Sequence, residues 1–183
     1  MSKLLITGIG GGVGLHITKS LTEQGYMDIV GVDVNPETQA RLKSESPIPL
    51  YASLAEAMAA EDIGGIYICT PDATHRDVAV EALTYGLPVL CEKPMGNRPE
   101  EAREMLEAAQ ASQGWLQIAF EYRFSPAFWR VHEIVESREV GAPLNVFNEY
   151  TPGPWGPNAP WRLDPAKNPG VFNEKLCHIV DLF

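Results

Sequence analysis

A glycine-rich turn between an apolar strand and a helix constrains this chain more than any other feature. Residues 3–7 are a short, largely apolar run, typical of a strand that is buried on both faces of a sheet. The turn at 8–14 follows, and apolar residues then recur every four positions at Val13, Ile17 and Leu21. That spacing predicts a helix packed on the sheet. Strand, turn and helix in this order predict the start of a parallel βαβ unit.

The second predicted strand, 29–34, carries an acidic residue near its end, Asp33. In a βαβ unit that binds a dinucleotide, a carboxylate here accepts hydrogen bonds from the adenosine ribose diol. The glycines let the backbone approach the pyrophosphate, whose charge lies at the helix N-terminus. We therefore expect NAD as cofactor, and NADP less readily, because Asp33 repels a 2′-phosphate. Arg41 is a counter-argument, although we expect it in the next helix with its side chain in solvent. The turn residues expected to contact the cofactor are Gly8, Gly10, Gly11, Gly12 and Val13.

The glycine turn by itself is ambiguous. Gly8 and Gly10 begin a G-x-G-x-x-G pattern, but Val13 occupies the third glycine position. The same stretch also fits the short-chain-dehydrogenase spelling Thr7-Gly8-x-x-x-Gly12-x-Gly14. That interpretation is weaker, because the chain contains no Tyr-x-x-x-Lys pair. A glycine-rich turn in an α/β protein that binds no nucleotide is the remaining alternative.

Strands and helices are predicted to alternate through the middle of the chain. Strands are expected at 47–51, 65–69, 89–91 and 116–120, and helices at 53–60, 74–85 and 99–113. Such alternation with short turns predicts an α/β fold with a doubly wound parallel sheet of the Rossmann type. We expect this domain to span 1–120. The start of an α+β substrate domain is expected at 121–183.

An ionisable pair follows the strand at 89–91. Glu92 and Lys93 come directly after the apolar run, and Pro94 restricts the backbone of Lys93 to extended geometry. Ligands of open α/β sheets bind beyond the carboxyl ends of the strands. Lys93 is therefore predicted to point into a ligand crevice. The alternative is a solvated Glu-Lys pair in a surface turn.

Composition excludes several classes of partner. The 183 residues include 24 acidic and 14 basic side chains, for a net charge of −10, which argues against nucleic acid and anionic membranes. No apolar run is long enough to span a bilayer. Cys69, Cys91 and Cys177 form no C-x-x-C pair, so neither a disulfide framework nor a metal site is expected. Without a signal-peptide pattern at the N-terminus, a reducing, cytoplasmic setting is expected.

Two motifs in the middle of the chain carry a family resemblance. The segment 68–75 reads Ile-Cys-Thr-Pro-Asp-Ala-Thr-His, and 82–94 ends in Val-Leu-Cys-Glu-Lys-Pro. Together they resemble the Gfo/Idh/MocA oxidoreductase family, named for glucose-fructose oxidoreductase and inositol dehydrogenase. The resemblance implies that Lys93 reaches both the nicotinamide and the substrate. It also implies that a further set of residues lies along the cofactor, namely Thr70, Pro71, His75 and Glu92.

The last third of the chain resembles the family's second domain. The segment 121–126 resembles the entry into that domain, and Arg123 within it is expected to bind substrate. A helix is predicted at 127–137 and a strand at 144–150. A proline-rich loop at 152–169 carries Trp155 and Trp161, and Trp161 is expected to stack on a sugar, or else to pack on a neighbouring subunit. A loop folded over its own core is an equally good interpretation.

An acidic residue four positions before a histidine resembles the family's second catalytic element. At helical spacing Glu174 and His178 share one face. The resemblance implies that His178 is the general base and that it contacts the substrate. Glu174 would orient substrate hydroxyls or His178, and Lys93 would stabilise the charge on the reacting oxygen. The family often has aspartate at the position of Glu174, and Lys175 is expected to be solvated.

The resemblance implies an NAD-dependent oxidoreductase that transfers hydride between a sugar, polyol or cyclitol hydroxyl and the nicotinamide. An NAD-using glycosidase or epimerase and a nucleotide-binding regulatory module without turnover remain alternatives. Family members continue beyond the 183 residues and often dimerise through the remainder of the second domain. We therefore expect that this chain is truncated in that domain and that the full-length form is a homo-oligomer.

Overall fold

The computed structural model describes residues 2–149, 160–165, 167–168 and 170–182. The chain divides into two compact units, Met1–Ile118 and Ala119–Phe183. Within the described residues, no helix has both the length and the apolar character needed to cross a membrane.

Six strands of the first unit form one sheet. They are β1 (Lys3–Thr7), β2 (Ile29–Val32), β3 (Leu50–Tyr51), β4 (Ile63–Ile68), β5 (Val89–Glu92) and β6 (Leu116–Ala119). Their order across the sheet is β3-β2-β1-β4-β5-β6. The pairings of β1 with β2 and β4, of β2 with β3 and of β4 with β5 are parallel. This is the strand order of the Rossmann fold, and it confirms the expected fold class.

Five helices connect these strands. They are α1 (Gly12–Glu23), α2 (Pro36–Glu45), α3 (Leu54–Ala60), α4 (His75–Leu83) and α5 (Pro99–Ala111). Local sequence explains where several of them begin. The Asn35 side chain accepts hydrogen bonds from two backbone N–H groups at the start of α2, and Ser53 accepts one at the start of α3. Pro36 and Pro99 occupy first turns, where a missing N–H costs nothing.

The core lies on both faces of the sheet, because successive side chains of each strand point to opposite faces. Leu5 of β1 belongs to the larger cluster, together with Val30, Ile66 and Val89 of the neighbouring strands. Ile6 points to the opposite face and belongs to the smaller cluster. Each fully buried aliphatic side chain contributes about 1.5–3 kcal/mol relative to exposure. Burial on both faces explains the continuous apolar runs in the sequence.

The second unit is helical within its described residues. It contains a 3₁₀ segment at Glu121–Phe124, α6 (Pro126–Glu136), a 3₁₀ segment at Pro160–Leu163, α7 (Val171–Glu174) and α8 (Cys177–Leu182). Most of the proline-rich loop, including Trp155, lies outside the described residues.

Two local predictions differ from the structure. The strand expected at 144–150 is not formed over 144–149, where Leu144 and Phe147 are 99% and 87% exposed, and Tyr150 lies outside the described residues. A strand needs a paired neighbour to satisfy its backbone, and no described strand lies alongside this one. Glu174 and His178, expected at helical spacing on one face, lie in two separate short helices, α7 and α8. Before α4, the hydroxyl of Thr74 donates to the carbonyl of Pro71 and makes no capping hydrogen bond to the helix.

Candidate active-site residues

The carboxyl ends of β1, β2, β4 and β5 carry most of the expected cofactor residues. The chain runs from β1 to one side of the sheet through β2 and β3, and then returns to the other side as β4. The strand order therefore reverses between β1 and β4. Ligands of open α/β sheets bind in the crevice at such a switch point. Gly8 follows β1, Asp33 follows β2, Thr70 lies beyond β4 and Lys93 follows β5.

The glycine turn is tightly built against its neighbours. Gly8 has a φ of +67°, and a side chain there would meet the carbonyl oxygen of Cys69 at 2.7 Å. A side chain at Gly10 would collide with the methyl group of Thr38. Gly12, the first residue of α1, faces open space, because a β-carbon added there would meet no other atom within 4 Å. The turn thus leaves room for a ligand at the N-terminus of α1, where N–H groups have no intrahelical acceptor.

Asp33 is held in place by backbone groups. Its Oδ2 accepts a hydrogen bond from the N–H of Gly10 at 3.0 Å, and its Oδ1 accepts one from the N–H of Asn35 at 3.0 Å. The Asp33 carbonyl in turn accepts a bond from the Gln39 side chain. A carboxylate can accept about four hydrogen bonds in total, so capacity remains for a diol. Arg41 is exposed, as expected from the sequence, and it pairs with Glu45 at 3.0 Å.

Two threonine hydroxyls near this edge of the sheet are buried. Thr7 is the last residue of β1 and is 2% exposed, and Thr70 lies two residues beyond β4. Neither Oγ1 atom has a hydrogen-bond partner within the described part of the chain. Buried hydroxyls are normally satisfied, so these two atoms are places where a ligand or water would be stabilised. Pro71, the other residue expected here, begins the 3₁₀ turn Asp72–Thr74 that leads into α4.

The Glu92-Lys93-Pro94 turn extends from the end of β5. Glu92 is the last residue of the strand, and its Oε1 accepts a hydrogen bond of 2.6 Å from the hydroxyl of Tyr67 on β4. The peptide bond between Lys93 and Pro94 is cis. Lys93 is half-buried and Pro94 is buried, so the lysine leaves the sheet from a turn whose neighbouring residues are packed.

The side chain of His75, expected to lie along the cofactor, is fully buried. It is 0% exposed, with Nδ1 at 2.8 Å from the carbonyl oxygen of Pro94 and Nε2 at 2.9 Å from that of Thr70. Both ring nitrogens thus face backbone carbonyls. In this arrangement the ring contacts the two loops expected at the cofactor and has no exposed surface of its own.

The two buried thiols of the sheet are unsuited to act as nucleophiles. Cys69 and Cys91 are 8% and 0% exposed. Burial raises the pKa of each thiol well above its ordinary value, and the negative charge of Glu92 raises both further. The thiolate is the reactive form, so these groups are inert at neutral pH. They are core residues of the sheet.

His178 occupies an aromatic environment in the second unit. It is 3% exposed and stacks on the ring of Tyr122, with centroids 4.6 Å apart, while Phe120 approaches edge-on at 6.1 Å. Its Nδ1 lies 3.6 Å from Oε2 of Glu121. The three residues 120–122 therefore orient the imidazole ring.

Glu174 forms a buried charged cluster rather than a surface pair. The residue is 1% exposed, and its Oε1 lies 3.0 Å from Nε of Arg162 and 3.3 Å from Nζ of Lys175. Its Oε2 accepts a hydrogen bond from Asn168 at 2.8 Å. Lys175, expected to be solvated, is instead 21% exposed at its side chain and paired with this carboxylate. A buried carboxylate needs such partners to offset its loss of hydration.

The two residues expected to bind substrate in the second unit also have partners in the chain. Arg123 donates from Nε and Nη2 to the two carboxylate oxygens of Asp181, a bidentate pair that raises the pKa of the guanidinium. Trp161 is half-buried, and the guanidinium of Arg162 lies 5.2 Å from its ring centroid.

Several contributing residues were not identified from the sequence. Glu92 is contacted by Tyr67. His178 is contacted by Glu121 and Tyr122. Glu174 is contacted by Arg162 and Asn168. Glu121 and Tyr122 lie in the segment 121–126, which resembles the start of the family's second domain. That resemblance is the sequence signal by which they could have been found. Asn168 and Tyr67 have no local pattern that distinguishes them.

The residues at the carboxyl edge of the sheet fit a dinucleotide. The space in front of Gly12 fits a pyrophosphate, the backbone-held carboxylate of Asp33 fits a ribose diol, and the Thr70 hydroxyl is a buried polar atom that lacks a protein partner among the described residues. Within the same part of the chain, no group of three or more His, Cys, Asp or Glu side chains is arranged to hold a metal ion.

Fold and edge together define a dinucleotide-binding protein of the Rossmann class. Residues 2–120 match the GFO_IDH_MocA family, described as an oxidoreductase family with an NAD-binding Rossmann fold. The chain belongs to this family, and the resemblance drawn from the two motifs is confirmed. The Rossmann fold of this family binds NAD as its cofactor.

Relatives include a catabolism protein and several dehydrogenases. The rhizopine catabolism protein MocA of Rhizobium meliloti is 29% identical and covers 76% of this chain and 44% of its own length. An inositol 2-dehydrogenase of Rubrobacter xylanophilus is 27% identical over 76% of this chain and 41% of its own. The crystal structure of a myo-inositol dehydrogenase from Corynebacterium glutamicum matches with a TM-score of 0.74 and 24% identity, over 100% of this chain and 54% of that one. The chain spans about half the length of the curated relatives it matches.

Proposed function

We propose that this chain is the NAD-binding part of a dehydrogenase that oxidises a CH–OH group of a cyclitol, polyol or sugar. The observation that carries the proposal is Lys93, held at the carboxyl end of β5 in an oxidoreductase family with an NAD-binding fold. Relatives named as inositol and levoglucosan dehydrogenases support the substrate class.

Cofactor binding is proposed to rest on the carboxyl edge of the sheet. The N–H groups of the turn Gly10-Gly11-Gly12-Val13 would hold the pyrophosphate, and Asp33 would accept the ribose hydroxyls. Thr70, Pro71 and Glu92 would line the path toward the nicotinamide. Asp33 is the reason for preferring NAD over NADP, since a 2′-phosphate would meet its negative charge. Bound NAD supplies the hydride acceptor.

Lys93 is proposed to act on the reacting oxygen. Its ammonium group would donate a hydrogen bond to the substrate hydroxyl and stabilise the negative charge that develops as the proton leaves. The half-buried position of Lys93 supports this role, because electrostatic stabilisation is stronger where water is partly excluded.

His178 is proposed to accept the hydroxyl proton at Nε2. The Glu121 carboxylate faces Nδ1 at 3.6 Å, which favours the tautomer with its hydrogen on Nδ1 and leaves Nε2 as the base. Glu174 is proposed to position the segment that carries His178 through its buried cluster with Arg162 and Asn168. Arg123 and Trp161 remain proposed substrate contacts.

Turnover of an intact version of the protein tests this proposal, because these 183 residues span about half the length of the curated relatives. We expect NADH production with a panel containing myo-inositol, levoglucosan and common hexoses. Lys93→Ala and His178→Ala are each expected to lower turnover by about 100-fold or more. Lys19→Ala and His132→Ala, which change exposed residues of the same types, are matched controls and should leave turnover unchanged.

Three other outcomes would contradict the proposal. Unchanged turnover in the Lys93 and His178 variants would remove their catalytic roles. A substrate converted without net NADH would favour the epimerase or glycosidase alternative, in which oxidation is transient. NAD binding without conversion of any panel member would favour a regulatory nucleotide-binding module.

We also propose that the protein works in the cytoplasm and as a homo-oligomer. Buried thiols at Cys69 and Cys91 support a reducing setting. Large exposed apolar residues on α6, among them Trp129 at 60% exposure, support contact between copies. Light scattering on an intact version of the protein measures the second point, and a monomer at micromolar concentration would contradict it.

A further inference from the structure

The turn that carries Lys93 contacts neighbouring elements through the residue before it, Glu92, and the residue after it, Pro94. On its N-terminal side, the hydroxyl of Tyr67 donates a hydrogen bond of 2.6 Å to the side chain of Glu92. On its C-terminal side, the carbonyl oxygen of Pro94 lies 2.8 Å from Nδ1 of His75. Both contacting residues are buried in regular elements, since Tyr67 is 8% exposed within β4 and His75 is 0% exposed at the start of α4.

The imidazole of His75 also joins two loops. Its Nε2 lies 2.9 Å from the carbonyl oxygen of Thr70, in the loop after β4, while Nδ1 faces the loop after β5. A fully buried side chain whose nitrogens both face backbone carbonyls is placed to set the spacing of those loops. It has no exposed atom with which to contact a ligand directly.

We propose that His75 and Tyr67 are positioning residues that hold the Lys93 turn from its two sides. Without them the backbone of residues 92–94 would lose two of its contacts with β4 and α4, and the lysine ammonium would sample a wider volume. Catalytic groups need placement to within a fraction of an ångström, so a small loss of order at this turn has a large cost in rate. The inference deepens the proposed function, on which the catalytic consequence rests, but the positioning itself can be measured without turnover.

A matched pair of substitutions separates the two contacts of His75. In superimposable rotamers the amide nitrogen of asparagine lies near the place of Nδ1, and that of glutamine lies near the place of Nε2. His75→Asn therefore keeps a nitrogen facing the carbonyl of Pro94 and loses the contact with Thr70. His75→Gln does the reverse. Both variants place an amide in the same buried site and lose one of the two contacts, so similar losses of stability are expected.

The measurement is the acetylation rate of the Lys93 amine by acetic anhydride, followed by peptide mass mapping. Lys19, 75% exposed at its side chain, is the internal reference within the same chain. One lost hydrogen bond corresponds to a factor of about 2 to 10 in a local opening equilibrium. We expect His75→Gln to raise the Lys93-to-Lys19 rate ratio by about three- to tenfold. His75→Asn should stay within about twofold of the unsubstituted protein.

Tyr67→Phe is the second variant, and it removes only a hydroxyl group. It frees the Glu92 carboxylate without disturbing the ring packed beside β5, and we expect the same direction of change in the Lys93 rate. This variant keeps the proposal testable if a change at the buried histidine prevents folding. Combining it with His75→Gln should give a larger rate ratio than either variant alone.

The labelling rates of Lys93 test the positioning role separately from turnover, which tests the proposed function. Equal Lys93 rates in His75→Gln, Tyr67→Phe and the unsubstituted protein would overturn the positioning role, even with turnover present. Equal increases in the Asn and Gln variants would also overturn it, since they indicate general loosening. If a polyol of the panel is turned over, His75→Gln should lower kcat and leave the NAD dissociation constant within about twofold. An altered labelling rate without any turnover would support the positioning role and contradict the dehydrogenase proposal alone.

Discussion

At the scale of single residues, Asp33 combines two tasks through one carboxylate. Its oxygens accept hydrogen bonds from the N–H groups of Gly10 and Asn35, which join the glycine turn to the turn after β2. The same charge would select the ribose diol of NAD. The cofactor preference therefore depends on a side chain that also holds the local backbone.

Asp33→Asn should weaken NAD binding by about tenfold or more, because a hydrogen bond to a charged group contributes about 1.5–3 kcal/mol. Affinity for NADP should fall less, since the repulsion of its 2′-phosphate is removed together with the charge. Calorimetric titration of the purified chain with each nucleotide measures both effects.

Asp28→Asn is the control for this change. It removes a negative charge before the other end of β2, away from the turn, and should leave both affinities unchanged. If Asp33→Asn binds NAD as tightly as the unsubstituted chain, the assigned ribose contact is wrong.

At the scale of elements, one polar cluster joins the start of β1, the end of β3 and the residue after α3. Glu61 accepts a hydrogen bond from the Lys3 ammonium at 2.6 Å and one from the Tyr51 hydroxyl at 2.9 Å. The bond from Lys3, followed by that from Tyr51, lowers the pKa of Glu61 below its ordinary value of 4.5. The bond to Glu61 likewise raises the pKa of Lys3 above 10.5.

These directions predict how the cluster responds to pH. The depressed pKa of Glu61 contributes stability that is fully present above its ordinary value of 4.5 and is lost as pH falls through its lower folded value. The raised pKa of Lys3 contributes stability below 10.5 that is lost as pH rises through its higher folded value. The bond to Glu61 also raises the pKa of Tyr51 above 10.0, so the cluster should be insensitive to pH between 4.5 and 10.0.

Glu61→Gln should therefore flatten the acid side of the stability profile. Urea unfolding followed by circular dichroism, measured from about pH 6 to about pH 3, gives the free energy of unfolding at each pH. Glu45→Gln, which removes an exposed partner of Arg41, is expected to leave the slope nearly unchanged. An identical acid slope in the Glu61 variant would contradict the assignment.

At the scale of the whole molecule, the two units are stabilised by different means. The first unit has a two-faced apolar core around a parallel sheet. In the second unit, the buried side chains include Asn168, Glu174 and His178, which are polar or charged. The Glu174 cluster links the segment around 162–168 to α7 through polar contacts.

Glu174→Gln should destabilise the second unit by about 3 kcal/mol, because it leaves the charges of Arg162 and Lys175 without their buried partner. Hydrogen exchange should accelerate in peptides from α7 and α8 and stay unchanged in β1, β4 and β5. Glu133→Gln, which removes an exposed partner of Arg130 in the same unit, should alter neither set. Unchanged exchange in α7 would show that the cluster contributes little.

Much of the first unit could be predicted from local pattern. The apolar run at 3–7, the glycine turn and Asp33 lie where the periodicity places them, because burial on both faces of a parallel sheet produces continuous apolar strands. The same reasoning failed at 144–149, whose apolar residues favour a strand but lie beside no described strand. Strand propensity depends on a neighbour, and a single sequence does not contain that information.

The sequence by itself determined the order of strands and helices, the residues at the strand ends and the family. These follow from hydrophobic periodicity and turn chemistry, which act over a few residues. Only the tertiary structure decided which side chains meet across long separations: Tyr67 with Glu92 over 25 positions, His75 with Pro94 over 19, and Arg123 with Asp181 over 58. Such contacts depend on how strands and helices pack, and side-chain type alone does not encode which partner a buried hydroxyl, imidazole or guanidinium will find.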